Sequence, residues 1–156
     1  FVKKASMAGM TEVELAKLAL EKSKDANVRG FAQRMVSDHG KANTELSAIA
    51  KRKNLEVSKS LDSEHQKKVQ ELSGKSGAEF DAAYAQHMAM DHDKAAALFE
   101  GASKGSDAEL ASFAQKTLPT IKEHQKLAKD LKSQTRSAPA LRRCALTWAI
   151  ASAIAE

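Results

Sequence analysis

Three histidines that directly follow an acidic residue each fall on the apolar stripe of a different long helical stretch: Asp38-His39, Asp91-His92 and Glu123-His124. Imidazole can ligate a metal, carry a proton near neutral pH, or anchor a buried hydrogen-bond network. Little else in the sequence carries chemistry. Cys144 is the single cysteine, so neither an intrachain disulfide nor a cysteine-based zinc site can form. There is no glycine-rich phosphate loop, and no serine sits in a nucleophile-elbow context. Any site must therefore be built where the histidines meet.

Helical phase decides whether they can meet. Apolar residues recur at steps of three and four in four stretches, and each stripe contains one conspicuous coordinating residue. In the first stretch, Ala5, Ala8, Leu15 and Ala19 flank Glu12. In the second, Val28, Ala32, Met35, Ala42, Leu46 and Ile49 flank His39. Ala85, Met88, Ala95 and Phe99 surround His92, and Leu110, Ala114, Ile121, Ala128 and Leu131 surround His124. An antiparallel bundle packs such stripes face to face. At about 1.5 Å per residue, Glu12 and His39 lie at similar depths from the turn near Lys24. His92 and His124 match less closely about the turn near Gly105.

Three imidazoles and a carboxylate suit zinc or copper, so Glu12, His39, His92 and His124 are the candidate ligands. Di-iron chemistry is not expected. It calls for a Glu-x-x-His pair on each of two helices, and the residues three before the histidines are Val36, Ala89 and Ile121. Neighbours on a helix point about 100° apart, so Asp38 does not orient His39. Asp38, Asp91 and Glu123 are instead candidates to hold a histidine of another helix, or simply face solvent. Tyr84, two turns before His92, is a further candidate for the polar cluster. His87 and His65 read as a flank residue and a docking residue of a short helix.

The elements that position these groups are four long helices, at about 2–23, 26–54, 78–103 and 108–131. A shorter one is expected at 61–73. Asp25 and Ser106-Asp107 are the expected N-caps, and Gly74, Gly77 and Gly105 the expected stops. Pro119 predicts a kink. Aromatics make up only 4% of a chain that is 42% hydrophobic, which favours closely packed helices over a sheet. The 156 residues suit one domain, placed at 1–131.

Residues 132–156 differ. Arg136-Ser137-Ala138-Pro139 reads as a linker, and the apolar run from Cys144 to Ala155 is too short to span a bilayer. That tail is a candidate helix or homodimer contact, or a segment foreign to the native protein. The net charge of +5 comes from lysines mixed with acids, which reads as a solvated surface with no nucleic-acid footprint. A chain starting at Phe1 implies that a leading segment was removed, and no signal peptide is left to read.

Phe31-Ala32-Gln33-Arg34-Met35-Val36 before Asp38-His39, then Phe80-Asp81-x-x-Tyr84, Asp91-His92, Leu118-Pro119 and His124, resemble a family. It is the ferritin-like domain of unknown function of bacterial exported proteins, often labelled outer-membrane proteins. The resemblance covers about 1–131. It implies a ferritin-like four-helix bundle and a periplasmic or cell-envelope location, and it brings no reaction with it. The expectation is thus an exported bundle that binds a transition metal in a binding or stress-related role without turnover. The alternative is a metal-free envelope or interaction module whose histidines form a structural network. An oxidase-like enzyme is the least favoured reading.

Overall fold

Helix boundaries fall where local chemistry places them. In the computed structural model, which describes the backbone of residues 1–153 and the side chains of residues 1–136, the elements are α1 (Val2–Lys22), α2 (Ala26–Arg52), α3 (Ser63–Ser73), α4 (Gly77–Ala102) and α5 (Ala108–Ala153). No strand occurs among the described residues.

Asp25 caps α2 as expected, its carboxylate accepting from the Asn27 and Val28 N–H groups at 2.8 and 3.1 Å. Asp107 does the same for α5 through Glu109 and Leu110. These bonds satisfy donors that a helix start leaves orphaned. At the other end of α2, Asn54 adopts a left-handed φ of 53° and turns the chain out of the helix.

Two helices of each hairpin pack side by side, α1 on α2 and α4 on α5, while α1 also meets α4 and α2 meets α5. Directions follow from the ends. Phe1 packs edge-on against Phe99 near the end of α4, with ring centroids 5.1 Å apart. Lys53, just past α2, pairs with Asp107 at the start of α5 at 2.9 Å. All four adjacent pairs are therefore antiparallel, in the order up, down, down, up. That order requires one long crossover, from α2 to α4, which is the ferritin-like arrangement. The crossover holds to α1 through Ser58, whose N–H donates to Ser6 Oγ at 2.9 Å. It carries α3, which docks by the fully buried Leu72.

The core has two apolar parts, with the polar cluster between them. One is centred on Leu15, Met35, Phe80, Tyr84 and Met88. The other contains Leu46, Ile49, Phe99, Phe113 and Ile121.

Two expectations differ from the structure. α5 does not stop near Leu131: its backbone stays helical through Ala153, so the linker expected at 136–139 is helix. Pro139 removes one backbone donor, but its neighbours Ala138, Ala140, Leu141, Arg142 and Arg143 are strong helix formers. Gly77, expected as a stop, instead opens α4 with a left-handed φ of 55°. As expected, α5 continues through Pro119 without a break. The homodimer contact expected of the apolar tail falls outside the described side chains. No described helix is long and apolar enough to cross a membrane.

Candidate metal centre

Glu12, His39, His92 and His124 come from four different helices and meet in the middle of the bundle. Each is at most 8% exposed. The three imidazole rings form a triangle, with centroids 5.3 to 5.6 Å apart. The looser depth match expected for α4 and α5 does not keep His92 and His124 apart. Phe31 closes one end of the triangle, 6.5 Å from the His92 ring and 6.4 Å from that of His124.

Each histidine has one ring nitrogen engaged by an acceptor. His39 Nδ1 lies 2.9 Å from Glu12 Oε2. His92 Nδ1 donates to the Met88 carbonyl at 2.9 Å, with Glu12 Oε1 at 3.6 Å. His124 Nε2 lies 3.0 Å from Asp38 Oδ2. What is left over is His39 Nε2, His92 Nε2 and His124 Nδ1. The first and last of these are 3.3 Å apart, and His92 Nε2 is buried without a hydrogen-bond partner in the protein. One ring nitrogen from each histidine lies within 4.8 Å of the others, so the three could hold a metal ion.

The charges support this polarity. Burial opposes ionisation of Glu12, but the His39 and His92 charges and the His39 hydrogen bond outweigh it and bring its pKa down to about 2. Burial would lower His39, yet the charge and hydrogen bond of Glu12 and the charge of Asp38 raise it overall. His124 is pushed down to about 4 by burial and by the His39 charge, against the pull of Asp38. Glu12 is thus an anion and His124 a neutral imidazole, with Nε2–H donated to Asp38.

The remaining sequence candidates lie further out. Asp91 pairs with Lys68 at 3.3 Å, and Glu123 pairs with Arg34 at 2.7 Å. Tyr84 is fully buried, stacked on Phe80 with centroids 6.0 Å apart, and its hydroxyl has no partner in the protein. Tyr84, a candidate for the polar cluster, therefore packs beside it without a hydrogen bond to it. Asp62 caps α3, accepting from the His65 N–H at 2.9 Å, and His65 Nδ1 lies 2.6 Å from the same oxygen. Two contributors escaped sequence reasoning. The Met88 carbonyl gives no residue-type signal. Arg34 stands between Asp38 and Glu123, 3.6 Å from Asp38 Oδ2, and its place one turn before Asp38 was the available clue.

The fold and the histidine triangle define a ferritin-like helical bundle with a buried cluster able to hold a metal ion. The chain belongs to the DUF4142 family, a domain of unknown function, whose model matches residues 1–131. Its fold is similar to that in the crystal structure of a DUF305 fragment from Deinococcus radiodurans. The TM-score is 0.76 at 17% identity, over 86% of this chain and 93% of that one. At that identity the likeness concerns the fold alone. No curated protein matches the chain.

Proposed function

We propose that the protein binds one transition-metal ion, zinc or copper, through His39 Nε2, His92 Nε2 and His124 Nδ1. The carrying observation is that the other nitrogen of every ring is already held, by Glu12, Met88 O and Asp38. Metal-bound histidines are oriented in this way, which fixes the tautomer and raises ligand basicity. Zinc–nitrogen bonds of about 2.0–2.1 Å in a tetrahedron place two ligand nitrogens about 3.3–3.4 Å apart. The His39–His124 separation of 3.3 Å meets that requirement. Glu12 then orients ligands instead of binding the ion, because its carboxylate sits against Nδ1 of His39, across the ring from Nε2. Among the described residues Glu12 is the one carboxylate within 4 Å of two of the rings, which supports a single ion over a di-iron pair.

The role is binding or buffering of metal without turnover, in the cell envelope that the sequence resemblance implies. Cell fractionation checks the location. Elemental analysis of protein purified without a histidine tag tests the centre. We expect close to one equivalent in the native protein and loss of it in His39→Ala and His92→Ala. Less than about half an equivalent, unchanged by either substitution, would overturn it.

One observation favours a second reading. The 3.3 Å His124–His39 contact is also a hydrogen-bond distance, as in a metal-free network that fixes helix register. That network predicts melting unchanged by zinc, copper or chelator, whereas a specific ion raises the melting temperature by mass action.

A further inference from the structure

The histidine triangle is closed on one side and open on the other. Phe31 covers the side facing the α1–α2 turn. On the opposite side lies a cavity of about 30 Å³, bordered by His39 and His124 but not by His92. A water needs roughly 10–15 Å³ of such space, so there is room for about two. The walls beyond the histidines include Ala42, Leu46 and Ile121. Thr117 also borders it, but its hydroxyl already donates to the Phe113 carbonyl at 2.8 Å.

Among the described residues no carboxylate oxygen joins the three ring nitrogens as a fourth ligand. Glu12 Oε1 has no hydrogen-bond partner but lies beside His92 Nδ1, at 3.6 Å, on the edge of that ring away from its free nitrogen. Glu12 Oε2 and Asp38 Oδ2 are engaged at the far edges of the His39 and His124 rings. Three protein ligands with an open position characterise zinc centres that exchange ligands, whereas structural zinc sites are closed by four.

We propose, resting on the metal-centre reading above, that the fourth coordination position opens into this cavity. It takes a small exogenous ligand there: water, or an anion of up to three heavy atoms. His92 lies behind the ion, His39 and His124 flank it, and the apolar walls limit the ligand by size.

The test uses the full chain loaded with cobalt(II), whose visible spectrum reports coordination, with azide as probe. Cobalt stoichiometry is measured first. One equivalent of cobalt with a saturable spectral change on azide addition is the expected result. Ala42→Leu and Ile121→Phe fill the cavity without touching a ligand. Each should keep one equivalent of cobalt and weaken azide binding at least tenfold. Full cobalt loading with a spectrum indifferent to azide would overturn the open position while leaving the metal centre standing. An azide response equal in native and filled proteins would overturn the cavity as its seat. Failure to take up cobalt, zinc or copper would instead remove the metal centre itself, and this inference with it.

Discussion

Asp38 is adjacent to His39 in sequence and serves His124 in space, across the α2–α5 interface at 3.0 Å. The three acid-histidine pairs of the long helices look alike in the sequence, yet their acids do different things. Asp91 and Glu123 bind Lys68 and Arg34 at the surface of the cluster. Removing a partner that orients a ligand typically costs about 10- to 100-fold in metal affinity. Asp38→Asn is therefore expected to weaken binding by that factor, while Asp91→Asn leaves it unchanged, as read by competition with a chelator of known affinity. Glu12→Gln separates the two roles open to that residue. As an orienting group, it should lower affinity but preserve one equivalent of bound metal. Loss of all metal, as in His39→Ala, would make Glu12 a direct ligand. Helical phase identified all four interior residues. It could not tell ligand from orienting group, because that depends on which ring nitrogen each side-chain rotamer presents, and rotamers leave no mark on the period.

The helices themselves were largely legible, because caps and periodicity agree at the ends of α2 and at the start of α5. Asp25 and Asp107 are local signals, and each acts within two or three residues of its own position. The end of α5 was not legible: Arg136-Ser137-Ala138-Pro139 reads as a break, while the backbone there stays helical. Contacts between helices were equally hidden. Gly9 of α1 faces Asn43 of α2 so closely that an added Cβ would lie 2.1 Å from Asn43 Oδ1. Two effects compete in Gly9→Ala. Replacing glycine inside a helix gains about 1 kcal/mol of propensity, and displacing the Asn43 side chain costs a comparable amount. The single substitution is expected to change stability little. In an Asn43→Ala background the same change should stabilise by about 1 kcal/mol, because the obstruction is gone. Urea unfolding of the four proteins in the cycle measures this coupling. Strict additivity would show that the two helices do not press on each other there.

At the scale of the molecule, the crossover between α2 and α4 makes diagonal helices parallel and brings four polar residues to one level. The sequence contains the length of that crossover but not the path it takes, since loops of this length can join either neighbouring or diagonal helices. Once the bundle closes, the cluster couples its stability to pH. His124 has a pKa of about 4 in the folded state against 6.5 for an ordinary histidine. The unfolded chain therefore binds a proton that the native state refuses, and stability falls as pH drops from 6.5 to 4. That limb amounts to on the order of 3 kcal/mol. Glu12, lowered from 4.5 to about 2, contributes stability that is present above 4.5 and lost as pH falls toward 2. His39 runs the other way. Its raised pKa gives stability that is fully present below 6.5 and lost as pH rises through the folded value. The metal-free protein should accordingly be most stable near pH 6.5, falling on both sides. Urea unfolding in the presence of chelator at a series of pH values checks this. Glu12→Gln should abolish the alkaline limb by removing the charge that holds the His39 proton, and His124→Asn should flatten the acid limb. Stability that stays constant between pH 6.5 and 4 would mean that His124 protonates freely in the folded protein, and that the three rings do not share the buried cluster described above.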